Sequence, residues 1–318
     1  GGFILLLKHV LEVYEVLDSP QVTGSAVQKM FFNRGCKDVE IKKVSGEKCN
    51  VEFIKVFFSG KNGKSKNGSA PTIGLLGQLG GIGCYPVKNG FVSDGDGALV
   101  VLACGLKLAD MVNNGSMLDG DVIITTHVCT KTPIKPRKLV PFLDLPLPMD
   151  IMVKSLVDPR AEAILSVDTT KGNRIINQRG FAITPTVKEG YILKVSDDLI
   201  DIMSTVTGLL PSVMAITTQD ITTYKNNIYH INSIMQPAIA TNSPVVGVAI
   251  TAQIPVAGTA TGATHFMDIE ATARFCLEVA KYYGLEECKF YDSEEFEKMV
   301  SIYGSMSHLQ KQSAVLKG

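Results

Sequence analysis

The side chains best suited to acid–base or metal chemistry are few and unevenly placed. The only histidines are His9, His127, His230, His265 and His308. His127 follows the apolar run 122–126, and His265 precedes an apolar-periodic stretch at 269–283. Asp94 and Asp96 stand before a long apolar segment, and Asp168 ends the run 163–167. Gln78 follows another short apolar run, 72–76. In open parallel α/β sheets, ligands bind outside the carboxyl ends of strands, and these residues fall at such ends. Carboxylate and imidazole donors gathered there suit zinc or manganese. On this reading Asp94, Asp96, Asp168 and His265 are metal ligands, and His127 is a ligand or a general base. Gln78, Lys171, Arg174 and His230 line the substrate, the two cations by holding an anion.

Each residue also has a plainer role. Asp94 or Asp96 can cap a helix and meet the positive end of its dipole. Asp168 can close an Asx-turn with Thr170. His127 can be a satisfied core histidine, and Lys171 and Arg174 can sit on a solvated loop. His230, in Ile228-Tyr229-His230-Ile231-Asn232, can simply pack. Cys129 reads as an ordinary small residue, and His9 and His308 as exposed.

Hydrophobic periodicity supplies the elements that must position these groups. Helices are expected at 4–17, 25–33, 97–112, 197–206 and 269–283, with a charged, peripheral helical tail over 286–318. Strands are expected at 39–44, 51–58, 72–76, 122–126, 163–167, 191–195, 212–217 and 244–250. The proline-rich stretch 130–149 reads as an extended loop. Strands alternating with helices imply a mostly parallel sheet covered on both faces, a three-layer α/β architecture forming one domain over 1–318.

Glycines 74, 77, 80, 81 and 83 follow a strand and tempt a dinucleotide reading. That fingerprint needs a helix to open on the glycines. Here Cys84-Tyr85-Pro86 follows instead, so the stretch reads as a loop where backbones pass closely.

The 318 residues carry 31 Lys+Arg against 31 Asp+Glu, a formal net charge of +0. A nucleic-acid or membrane-surface partner needs a clustered basic footprint, so neither is expected. No apolar run reaches the roughly 18–20 residues that span a bilayer, and the run 3–7 is short for a signal-peptide core. Seven cysteines, an odd number with no Cys-x-x-Cys pair, read as reduced thiols in a cytoplasmic protein.

The order of these motifs resembles the co-catalytic zinc aminopeptidases and related deacylases. Asp18-Ser19-Pro20 follows the first helix, as a Ser-Pro segment does there. Ser93-Asp94-Gly95-Asp96-Gly97-Ala98 resembles the bridging-aspartate element at the head of an apolar helix. Ser166-Val167-Asp168 matches a strand ending in Val-Asp, and Ile254-Pro255 through His265 resembles the segment that carries the last ligand histidine. Only about sixteen residues separate Gln78 from Asp94, so the second domain that some members insert there is absent. Several positions depart from the pattern. Gln78-Leu79-Gly80 stands where the family has histidine-x-aspartate, and Thr126-His127 where it has paired glutamates. No acidic residue occurs from Val122 to Leu143, so the glutamate base that the resemblance implies is missing. As a whole the sequence also resembles a prokaryotic family without an assigned function, through 77–83, 92–98, 168–174 and 183–190.

The resemblance implies a metal-dependent hydrolase acting on a small peptide-like or acylamino substrate, in a homo-oligomer. The departures favour a non-catalytic relative that binds a small metabolite or peptide. A metal-free enzyme using His127 with Asp96, or Cys129 as a thiol, is a third reading. No Gly-x-Ser-x-Gly elbow supports a serine nucleophile.

Overall fold

The computed structural model describes residues 6–47, 49–78, 82–85, 90–136, 140–216 and 231–310. The chain opens with α1 (Leu7–Leu17) and α2 (Gly24–Phe32), then a hairpin of β1 (Val39–Ser45) and β2 (Asn50–Phe58). Next come β3 (Ile73–Gly77), the short β4 (Cys84–Tyr85) and α3 (Asp96–Asn113). Strand β5 (Val122–Val128) leads to β6 (Thr132–Lys135), β7 (Phe142–Leu143) and α4 (Met149–Leu156). Strand β8 (Ala163–Thr169) is followed by β9 (Gly180–Ile183), β10 (Val187–Lys188), β11 (Tyr191–Ile192) and α5 (Asp197–Thr207). A 3-10 segment, Ser233–Ile239, precedes β12 (Val245–Thr251), and α6 (Phe266–Gly284) and α7 (Ser293–Tyr303) follow.

The main sheet runs β1-β2-β5-β3-β8-β12-β10-β11, with β9 also paired to β12. Strands β5, β3, β8 and β12 are mutually parallel, and the flanking strands are antiparallel. The mostly parallel sheet flanked by helices thus holds, with antiparallel edges. The central strands are buried along their whole length, because helices cover a parallel sheet on both faces.

The pleat sends alternate side chains to opposite faces. On one face Leu75, Ile124, Leu165 and Val248 join the large core formed with α1, α3 and α6. On the other, Phe53, Leu76, Ile164 and Ala249 meet α4 and the 3-10 segment in a second core. Helix α3 is buried continuously from Asp96 to Ala109, as its nearly unbroken apolar run requires.

The approach of α3 to the sheet is set by glycine. A Cβ on Gly77 would lie 2.6 Å from the Gly97 carbonyl oxygen, and one on Gly97 would lie 2.6 Å from the Val167 oxygen and 2.8 Å from that of Gln78. Backbone therefore rests on backbone, and the head of α3 is held at the ends of β3 and β8. Among the described residues, the element that comes next after β3 is β4, not a helix.

Several local expectations need correction. The expected strand 191–195 is only two residues long. Of the expected strand 212–217, described as far as 216, an isolated bridge between Ile183 and Val213 is the pairing with the sheet among the described residues; β9 and β10, not anticipated, take the antiparallel places on β12. Within the proline-rich stretch, Ile134 pairs with Leu143 and Cys84 with Thr132, so β4, β6 and β7 form a small second sheet. His9 is buried, not exposed: its Nε2 lies 2.9 Å from Asp110, which also takes Arg34 at 2.9 Å, pinning α1 to α3. His308 is exposed.

Substituting Gly97→Ala should lower unfolding stability by about 1–3 kcal/mol through overpacking, despite alanine's higher helix propensity. Urea denaturation checks this; an unchanged or raised midpoint contradicts the contact.

Candidate functional site

Three of the expected residues share one face of the sheet. Gln78 follows β3 directly, His127 is the penultimate residue of β5, and Asp168 lies near the end of β8. The Gln78 N–H donates to the Val167 oxygen at 2.8 Å, so the β3–β8 pairing continues one residue past the strand. Pleat alternation then places Gln78, His127 and Asp168 on the α4 side of adjacent strands, together with Leu76 and Ser166. All three are buried, His127 at 1% and Asp168 at 2% exposure.

Gln78 is engaged with the fold. Its Nε2 donates to Ser166 Oγ at 2.7 Å and to the Ile234 oxygen at 2.8 Å, and Ser166 Oγ donates to the same oxygen at 2.8 Å. It ties the strand ends to the 3-10 segment, so its amide N–H groups do not reach for a substrate as expected. Asp168 accepts the Thr169 N–H at 2.7 Å, while the Thr170 N–H goes to Ile250, so no Asx-turn with Thr170 forms.

His127 packs against the Phe53 ring, 5.8 Å between centroids. Burial pulls its pKa from 6.5 to about 4, so the imidazole is neutral at physiological pH. Its Nδ1 has no hydrogen-bond partner among the described residues. A buried polar atom left so costs about 1–3 kcal/mol. A neutral imidazole offers one donor and one acceptor, which suits it to recognition. A pKa near 4 makes it a weak base at neutral pH.

The other acidic residues sit at the head of α3. Its N-cap is Gly95, without a side-chain cap, so Asp96 does not cap the helix. Asp96 Oδ2 instead takes the Lys171 ammonium at 2.5 Å, and Oδ1 takes the Thr264 hydroxyl at 2.6 Å. Lys171 also donates to the Ala263 oxygen at 3.2 Å. Its side chain is 2% exposed and that of Asp96 0%, so Lys171 is no solvent-facing anion binder. The chain places its positive charge there because a carboxylate this deeply buried needs one. Burial raises the Asp96 carboxyl above its ordinary range, and Lys171, Thr264 and then His265 oppose that shift.

These contacts belong to a clamp. The Ser93 N–H donates to the Ala260 oxygen at 3.0 Å, Asp94 N–H to Gly258 at 3.1 Å, and Ser93 Oγ to Ala257 at 2.9 Å. The Val256 N–H donates to Lys171 at 2.9 Å. The loop between β12 and α6 is thereby pinned onto the head of α3. Asp94 accepts the Leu143 N–H at 3.4 Å, and a Cβ on Gly258 would strike its carboxylate.

His265 is the N-cap residue of α6 and makes no side-chain cap. It is 45% exposed, with Nδ1 3.8 Å from Asp268. Arg174 is exposed. His230 lies outside the described residues.

The expected zinc or manganese ligands do not fit a metal ion as arranged. Among the described residues, no three His, Cys, Asp or Glu side chains converge. Asp96 is committed to an ammonium, His127 belongs to the buried α4 face, and His265 stands exposed at a helix start. Gln78, His127 and Asp168 do lie at strand ends, but sequence order cannot say which face of the sheet each side chain takes.

An open groove lies elsewhere, between α5 and α6, lined by Asp198, Asp201, Arg274, Glu278, Lys281 and Tyr282. Its cations are already paired, Arg274 with Glu270 and Lys281 with Glu278. No helix among the described residues is long and apolar enough to cross a membrane.

Among solved structures, the Legionella pneumophila LapA aminopeptidase aligns at 11% identity and a TM-score of 0.45, over 89% of this chain and 69% of that one. A glutaminyl cyclase from an Acidobacteriales bacterium aligns at 9% and 0.47, over 89% and 94%. The apo leucyl aminopeptidase of Trypanosoma brucei aligns at 10% and 0.49, over 85% and 60%. No curated protein matches the chain. A family model described as "Protein of unknown function (DUF1177)" matches residues 42–313.

Two outcomes follow from the geometry. An unfolded histidine takes up its proton as pH falls through 6.5, whereas native His127 stays neutral until about 4. Its contribution is therefore intact above pH 6.5 and lost as pH falls toward 4, on the order of 3 kcal/mol across that window. Urea denaturation at several pH values should show a shallower slope for His127→Gln than for wild type. Separately, Lys171→Met should cost about 3–5 kcal/mol by stranding a buried carboxylate, and adding Asp96→Asn should restore part of it. Additive losses in that double-mutant cycle contradict the pair.

Proposed function

The chain belongs to the DUF1177 family, and we propose that it binds a small peptide-like or acylamino molecule at the carboxyl ends of its parallel strands without using a metal ion. The observation that carries this reading is the unpartnered Nδ1 of His127, buried on the face that also bears Asp168. A ligand N–H or O–H removes the cost of that orphan, and Asp168 adds a carboxylate to the same sheet face. Peptide-like molecules carry both the amide donors and the polar ends that such a face recognises. The Lys171–Asp96 pair supports metal independence, because the aspartate at the head of α3 already has its cation.

The hydrolase reading is the second. It is favoured by the resemblance of 93–98 and 166–168 to aminopeptidase motifs, and it needs a base and a metal set that the described residues do not assemble. The two are separable in one experiment. Dipeptides and N-acylamino acids are titrated calorimetrically into protein stripped with a chelator, beside zinc and manganese alone. The expected result is ligand binding that survives chelation and weakens about tenfold in His127→Ala, the loss of one net hydrogen bond. Stoichiometric zinc binding with chelator-sensitive hydrolysis, abolished in Asp168→Ala, overturns it.

A further inference from the structure

Two cysteines beside the main sheet lie sulfur to sulfur. Cys49 directly precedes β2 and Cys129 directly follows β5. These strands are antiparallel neighbours, with Glu52 opposite Val128, so the entry of one meets the exit of the other. The two Sγ atoms are 3.2 Å apart. Both residues are buried, Cys49 at 7% and Cys129 at 2% exposure. A disulfide places its sulfurs about 2.05 Å apart, so closure asks for an approach of roughly 1 Å.

The surroundings favour reaction at Cys129. A hydrogen bond with Cys49 pulls its thiol below the ordinary thiol range against the effect of burial, helped by Thr132 and the Lys131 backbone. A lowered thiol favours the thiolate, the nucleophilic form. Cys104, beside Cys276 in the other core, is different: burial raises it well above the ordinary thiol range.

We propose that Cys49 and Cys129 form a redox-active pair that a hydroperoxide converts to an intramolecular disulfide. The Cys129 sulfur attacks the peroxide, an S–O bond forms, the O–O bond breaks, and the leaving oxygen departs as water or an alcohol after taking a proton. The Cys49 sulfur then attacks Cys129, an S–S bond forms, the S–O bond breaks, and water leaves with the Cys49 proton. Two thiols lose two electrons and the peroxide gains them. A hydroperoxide is the oxidant that suits this place, because the burial of both sulfurs shuts out bulky disulfides. The bond ties the start of β2 to a point two residues beyond His127.

Full-length reduced protein is treated with hydrogen peroxide, alkylated without reduction and digested with trypsin. The expected product joins peptides 49–55 and 108–131, at a mass two hydrogens below their sum, and is released by a thiol reductant. In Cys49→Ser the reaction should stop at a Cys129 sulfenic acid that a cyclic 1,3-dione traps. Alkylation of both peptides to the same extent as in untreated protein overturns the proposal. So does a link from Cys129 to peptide 67–88, which carries Cys84. The wild-type digestion needs no variant to fold.

Discussion

The contact on which the arrangement depends is backbone against backbone, where Gly97 at the head of α3 meets Gly77 and the ends of β3 and β8. Any side chain at either glycine would push the helix outward. Because it is not pushed, Asp94 and Asp96 arrive at the strand ends, and the loop after β12 can reach them. The apolar length of α3 supplies the burial energy for this docking. The glycines determine its depth.

What stands at the end of that helix is an electrostatic arrangement closed within the chain. Asp96 is answered by Lys171, and both ends of the pair are drawn into hydrogen bonds with the loop that closes over them. A buried charge requires a counter-charge, and a lysine or a metal ion can each meet that need. The chain uses the lysine. One unpartnered polar atom lies on the far face of the sheet, in an imidazole that desolvation keeps neutral. The buried ion pair and the neutral imidazole thus lie on opposite sides of the same strands.

Much of the architecture was legible because it rests on local periodicity. The run of apolar residues through α3, and the short apolar strands that end within one residue of Gln78, His127 and Asp168, lie where the pattern puts them. Two kinds of information were not local. Lys171 reads as a solvated loop cation because its partner is 75 residues away in sequence. His265 reads as a ligand because it precedes a helix after a strand, yet the same backbone path leaves its ring exposed. Strand β9 escaped notice because four residues with a glycine at the start carry little alternation. The pairing of Cys49 with Cys129 was hidden likewise, since antiparallel register, not spacing, brings them together.

The buried pair between Lys171 and Asp96 also gives the clamp an unusual response to temperature. The hydration of charged groups carries a strongly negative entropy, so stripping water from an ammonium and a carboxylate costs less as the protein warms. The apolar packing beneath, through α3, gains no comparable advantage. On heating, the cost of keeping this pair dry falls, so the ion pair carries a growing share of the grip of the loop after β12 on the head of α3.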